Sequence, residues 1–92
     1  MTIDELYQII RDRKQNPAPG SYTASLFAAG EDEIIKKVGE EAVEVVLAAK
    51  GQGRQRMIEE VADLTYHVLV LLAEKQLEPQ DILAELDRRN KR

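Results

Sequence analysis

A chain of 92 residues suffices for one domain, and a core this small is commonly supplemented by assembly with a second copy. The absence of cysteine excludes disulfides, thiolate metal sites and thiol catalysis, and fits a reducing compartment. A net charge of −4 argues against wrapping a nucleic acid backbone, although nucleotides stay open because a metal can bridge acidic residues to phosphates.

The first helix is predicted from Ile3 to about Lys14. Thr2 followed by Glu5 matches a capping box, and Ile3, Leu6, Tyr7 and Ile10 mark the buried stripe. The run Asn16-Pro-Ala-Pro-Gly20 ends it, because Pro and Gly do not continue a helix there. Residues 21–30 form a connector with room for a short helix. The second helix is expected from about Glu31 to Lys50, opened by three acids that suit the positive end of the macrodipole and stopped by Gly51 and Gly53. The third should run from about Arg54 to Lys75. Pro79 suits the first turn of a fourth, which reaches about Asn90 and closes on Arg88, Arg89, Lys91 and Arg92.

Aromatic residues are sparse and β-branched residues sit at helical spacing, which disfavours a β architecture. The expected fold is therefore all-α, a bundle of four to five helices with residues 1–92 as a single domain. Met1 to Ile10 carries Asp4 and Glu5 and does not read as a signal peptide. The most apolar stretch, Val68 to Ala73, is far too short to span a membrane. A soluble, cytoplasmic protein is expected.

Two acidic motifs stand out: Glu40-Glu41-x-x-Glu44 and Glu60-x-x-Asp63. Residues at i and i+3 share a helix face, so Glu41 pairs with Glu44 and Glu60 with Asp63. On a wheel of about 100° per residue, Ile34, Val38, Ala42, Val45 and Ala49 form the apolar arc of the second helix, with Glu41 and Glu44 along one flank and Lys37 and Ala48 beside them. Met57, Val61, Leu64, Val68 and Leu71 form the arc of the third, with Glu60, Asp63 and His67 on its flank. Packed seam to seam as antiparallel neighbours, the two helices would gather four carboxylates at the rim of the core. Such a cluster repels itself and is costly to desolvate, and a divalent cation with oxygen ligands, Mg²⁺ or Mn²⁺, relieves it. Val43 and Leu47 fall outside the seam, and Leu69 and Ala62 lie away from the acids. Apolar residues on several sides imply burial on several sides, and a homodimer explains that.

The bland reading of each residue stands beside the sharp one. Glu31, Asp32, Glu33, Glu59, Glu74, Glu78 and Glu85 read as solvated surface charge. Glu40 has Lys36 four residues earlier as a simple ion-pair partner, or serves a metal directly or at one remove. His67, the only histidine, is either a hydrogen-bonded residue at the core edge or a contact to phosphate or to a ligating carboxylate. Lys36, Lys37, Arg54 and Arg56 are surface cations with phosphate holding as their functional alternative. Gly39 inside a helix costs about 1 kcal/mol against Ala, which suggests close approach of a neighbour or ligand. There is no Walker loop and no G-x-G-x-x-G. No Glu-x-x-His pair for a di-iron site occurs, and one histidine is too few for a zinc hydrolase.

Glu40-Glu41-x-x-Glu44, a spacer of fifteen residues and Glu60-x-x-Asp63 together resemble the all-α nucleoside triphosphate pyrophosphohydrolase (MazG-like) superfamily. Within it, the chain resembles the phosphoribosyl-ATP pyrophosphohydrolases of histidine biosynthesis. The matching text is Ser21-Tyr22-Thr23 with Leu26, Lys36-Lys37-x-Gly39-Glu40-Glu41-x-x-Glu44 through Lys50, and Glu60-x-x-Asp63 through Tyr66-His67 to Leu72. The resemblance implies a homodimeric bundle of that superfamily's type. It also implies cleavage of phosphoribosyl-ATP by water between the α and β phosphates, giving phosphoribosyl-AMP and pyrophosphate. On that basis Glu41, Glu44, Glu60 and Asp63 would hold Mg²⁺, and Glu40 or Glu41 would take a proton from the water. Lys37, Ser21, Tyr22, Thr23 and His67 would face the substrate. Many relatives are fused to the cyclohydrolase that follows, and this length leaves room only for the stand-alone form. Two other functions compete: a house-cleaning (d)NTP pyrophosphatase with the same acids, and a non-catalytic helical dimerisation module.

Overall fold

The computed structural model describes residues 1–90, and Lys91 and Arg92 of the expected basic end lie outside them. Five helices follow in order: α1 (Ile3–Gln15), α2 (Tyr22–Ala29), α3 (Glu31–Gly51), α4 (Arg54–Glu74) and α5 (Pro79–Asn90). No strand occurs among the described residues, so the all-α expectation holds with five helices, the connector 21–30 supplying the short one.

Local chemistry sets the boundaries. Thr2 caps α1 by accepting from the Glu5 N–H at 3.1 Å, and Ser21 caps α2 by accepting from the Ala24 N–H at 3.1 Å. Gly30 joins α2 to α3 at φ +104°, a conformation open mainly to glycine. Its N–H closes α2 on the Leu26 carbonyl at 3.2 Å, while its own carbonyl receives the Ile34 N–H at 3.2 Å to start α3. The link Gln52–Gly53 then folds α4 back along α3, and this hairpin is the main packing unit. α1 lies against α4, α2 bridges α1 and α3, and α5 touches α1.

The core gathers at one end of the hairpin. Tyr7 and Ile10 from α1, Leu26 from α2, Ile34 from α3 and Leu69, Val70, Leu72 and Ala73 from α4 form it. Ile10, Ile34 and Val70 are fully buried. Lys14 ties α1 to the end of α4, with Nζ donating to the Ala73 carbonyl at 3.3 Å and lying 5.6 Å from the Phe27 ring centre.

The helix seams differ from the wheel. Ile34, Glu41 and Ala48 form the inward line of α3, with Glu41 half-buried between two buried residues, and Glu60 and His67 are buried on α4. Val61, placed in the arc, is exposed; Ala48 is buried where Ala49 was expected; Leu69 is in the core. These inward residues are seven apart. Two helices in contact follow a seven-residue repeat, from which a straight 3.6-residue wheel drifts by about 20° per heptad. Glu41 and Glu60 are thus in the seam rather than on its flank. Gly39 also departs from expectation, since a Cβ there would meet open space within the chain.

The fold is open for its size. The chain exposes 6398 Å², against about 5,400 Å² expected for a compact monomer of this mass. Its radius of gyration is 14.4 Å, against about 12.3 Å by chain-length scaling.

Candidate metal and phosphate site

Midway along the hairpin, Glu40, Glu41 and Glu44 from α3 and Glu60 and Asp63 from α4 line one open hollow, with Val43 at its edge. Glu41, Glu60 and Asp63 each bring a carboxylate oxygen to within 4.8 Å of the other two. Glu44 faces the same hollow outside that trio. The three are placed differently: Glu60 is 5% exposed, Glu41 half-buried and Asp63 exposed. The donors are all oxygen, the set preferred by hard divalent cations, and their spacing lets one ion reach all three. The residues therefore fit Mg²⁺ or Mn²⁺.

A buried carboxylate needs a partner, and Glu60 has one in Arg56, one turn earlier on α4. The same guanidinium binds Glu59, and hydrogen bonds to these acids raise the Arg56 pKa. Arg56, a candidate phosphate holder in the sequence, is thus engaged with an acid of the trio. The i, i+4 spacing was the available signal. Lys37 pairs with Glu40 at 3.8 Å, so the partner of Glu40 is Lys37 rather than Lys36.

The second half of the site is polar and aromatic. His67 places Nδ1 2.7 Å from the Asp63 carbonyl oxygen and Nε2 3.0 Å from the Tyr22 hydroxyl. Tyr22 and Tyr66 stack with ring centres 6.3 Å apart, and His67 meets each ring edge-on. The Tyr66 hydroxyl hydrogen-bonds to Thr23. Burial pushes the Tyr22 phenol above its usual range, with Lys37 opposing the rise and Tyr66, Glu41 and Asp63 adding to it. Glu41 and Asp63 of the trio thus both act on the Tyr22 phenol. Ser21 spends its acceptor on the α2 cap. Sequence reasoning gave Tyr66 no separate role, and its adjacency to His67 was the only available hint.

The site can concentrate negative charge around a cation and set a lysine, two tyrosines and a histidine beside it. A profile of the phosphoribosyl-ATP pyrophosphohydrolase family matches residues 3–90. The chain is similar to a phosphoribosyl-ATP pyrophosphatase from Clostridium botulinum, 52% identical over 90 residues that cover 98% of this chain and 82% of the relative. It is also similar to one from Pelotomaculum thermopropionicum, at 54% identity over 98% of this chain and 92% of the relative. A bifunctional histidine biosynthesis protein from Caldanaerobacter subterraneus is 51% identical over 98% of this chain, which spans 44% of that longer protein. The acid motifs on α3 and α4 and this match across nearly the whole chain agree: the protein belongs to the phosphoribosyl-ATP pyrophosphohydrolase family.

Proposed function

We propose that the protein hydrolyses phosphoribosyl-ATP to phosphoribosyl-AMP and pyrophosphate, the second step of L-histidine biosynthesis, with residues 1–92 acting as one catalytic domain. Family membership supports the substrate, and the convergence of Glu41, Glu60 and Asp63 carries the chemistry. Glu41, Glu60 and Asp63, with Glu44 beside them, are the residues that would hold Mg²⁺ or Mn²⁺. When bound, such a cation neutralises phosphate charge and lowers the pKa of a coordinated water.

The chain's own groups do the rest. Attack in line with the leaving pyrophosphate demands positioning more than covalent chemistry. Glu40 or Glu41 takes the proton of the attacking water, and Glu40 is the freer because it stands outside the trio. Lys37 swings from Glu40 to a phosphate oxygen with little to lose, since a half-exposed ion pair is worth well under about 1 kcal/mol. Ser21, Tyr22, Thr23 and His67 form the polar wall on the substrate side.

A homodimer is part of the proposal. Ile35, Val43, Val46 and Leu47 on α3, Ile58 and Val61 on α4, and Leu83 and Leu86 on α5 are large and exposed in the single chain. Together with the surplus surface, they support burial against a second copy. Among the described residues no helix is long and apolar enough to cross a membrane, which accords with an enzyme of the cytoplasm.

The decisive experiment is pyrophosphate release from phosphoribosyl-ATP with and without Mg²⁺, with dATP and dCTP alongside. Cation-dependent release from phosphoribosyl-ATP alone is expected. Release mainly from the deoxynucleotides would move the function to nucleotide house-cleaning, and no release from any substrate by folded protein would favour a non-catalytic module.

A further inference from the structure

Gly39 has no reason to be glycine within its own chain. It lies inside α3 and its φ is not positive, so no turn or left-handed residue requires it. A Cβ there would meet nothing within 4 Å. Inside a helix, glycine is nonetheless the worst choice after proline, because it loses the most backbone freedom on folding and adds no packing. Its neighbours on the helix surface supply the reason. Ile35, Gly39, Val43 and Leu47 follow one another at four-residue spacing, which makes them one ridge along α3. The three large members are 46%, 57% and 48% exposed, and Gly39 is exposed as well. The ridge is therefore apolar, uncovered and notched at one point. Helices approach most closely where the side chains at their crossing are smallest, and Gly39 is that point.

We propose that Gly39 is the crossing point of a two-fold, antiparallel contact between the α3 helices of two copies of this chain. This rests on the homodimer in the functional reading above and deepens it by naming the contact. The area fits a second copy: the chain exposes about 1,000 Å² more than a compact monomer of its mass, and a stable interface takes roughly 800 Å² from each partner. Charge sets the direction. α3 opens on Glu31, Asp32 and Glu33 and closes on Lys50, so antiparallel helices bring unlike ends together, whereas parallel ones would stack the acids. In a two-fold contact, residue i of one copy meets j of the other and j meets i. Centred on Gly39, the antiparallel contact sets Val43 of each copy against Ile35 of the other, since the two lie four residues to either side. Val43 also stands at the edge of the acid hollow, so the contact reaches the rim of the site.

Two measurements decide it. The first is the dimer Kd by sedimentation, with helical content checked by circular dichroism. Gly39→Ala has room in the single chain and is the better helix former, yet it should raise Kd by about tenfold or more, because an added methyl overpacks a close contact. Gly39→Leu should leave a folded monomer. An unchanged or tighter Kd in Gly39→Ala overturns the proposal. So does a Gly39→Ala dimer of normal Kd that has lost turnover, which would assign the notch to the substrate. The second measurement is crosslinking. The chain has no cysteine, so introduced thiols eight residues apart on one helix can pair only between copies. The double variant Ile35→Cys/Val43→Cys should form a covalent dimer on oxidation, and neither single variant nor Lys50→Cys should. A covalent dimer from Ile35→Cys alone would mean parallel helices, and one from Lys50→Cys alone a different crossing point; either overturns the proposal. Wild type that sediments as a monomer at about millimolar concentration refutes the homodimer, and the contact with it. Wild-type dimers that release no pyrophosphate refute only the enzymatic reading, and the Kd and crosslinks still judge the contact.

Discussion

Replacing Asp63 by Asn keeps the side chain's shape and removes one charge from the acid trio. At the 4.8 Å that bounds the trio, two unit charges repel by about 0.9 kcal/mol in water and about 3.5 kcal/mol at an effective dielectric of 20. Asp63 is exposed, so the lower figure governs. Glu60 is already matched by Arg56, which leaves Glu41 as the main uncompensated neighbour. Asp63→Asn should therefore stabilise the cation-free protein by about 1 kcal/mol, or about 4–8 °C in melting midpoint for a domain of this size. Saturating Mg²⁺ should reverse the order. Wild type gains about 2.7 kcal/mol at a hundredfold excess over Kd, whereas the variant lacks one ligand and gains less. The assay is thermal unfolding followed by circular dichroism at fixed protein concentration and low salt, with chelator or with Mg²⁺. The cation-free advantage should shrink as salt is raised. A variant less stable than wild type in chelator, or equal Mg²⁺ shifts in both proteins, would refute the reasoning that these acids form one cation site.

Arg56→Ala leaves Glu60 buried without its cation, so the melting midpoint should fall in chelator and most of the loss should be recovered in saturating Mg²⁺; an equal deficit in both conditions would show that Arg56 supports only packing. Ile34→Ala opens a hole in a fully buried position and should cost about 2–5 kcal/mol in urea unfolding, with kcat per folded molecule unchanged. Tyr7→Phe removes a buried hydroxyl that donates to the Leu77 carbonyl and should cost about 1 kcal/mol near neutral pH. Burial raises the Tyr7 pKa above 10.0, so the phenol's contribution is complete below pH 10 and is lost as pH climbs through the raised folded value. Wild type should therefore lose stability relative to Tyr7→Phe in urea melts above about pH 10, and a constant gap across that range would contradict the shift.

Helix existence was legible because start and stop chemistry is local. Thr2 before Glu5, the Pro17–Gly20 run, Gly53 before Arg54 and Pro79 each act within one turn of themselves, and each marks a boundary within a residue or two. The short α2 was left open because eight residues between two glycines carry almost no periodic signal, and its cap at Ser21 is recognisable only once the helix is granted. The facing of the long helices was read a little off, since which side turns inward depends on the partner helix. Val61 and Ala49 looked buried on an isolated wheel, and only the α3–α4 contact brings Ala48 and Glu60 inward instead.

The site shows the same division between local and non-local information. Glu41 with Glu44 and Glu60 with Asp63 were legible from spacing alone, whereas the Tyr22–His67 contact joins α2 to α4 across forty-five positions of sequence. The seven-residue line also exposes a conflict within the hairpin. Ile34 and Ala48 fill seam positions on α3, but Glu41 sits between them, and Glu60 takes a comparable place on α4. A bundle built only for stability would fill those places with apolar side chains, as local and global preferences would then agree. Here the seam gives up that burial to hold carboxylates, while large apolar residues such as Val46 and Leu47 on α3 stand in water. In the proposed dimer these two facts belong together: burial lost inside the hairpin to the acids is regained outside it against the second copy. The acid trio and the partner surface then share α3 and α4, and substitutions at Val46 should disturb cation binding only to the extent that they disturb assembly.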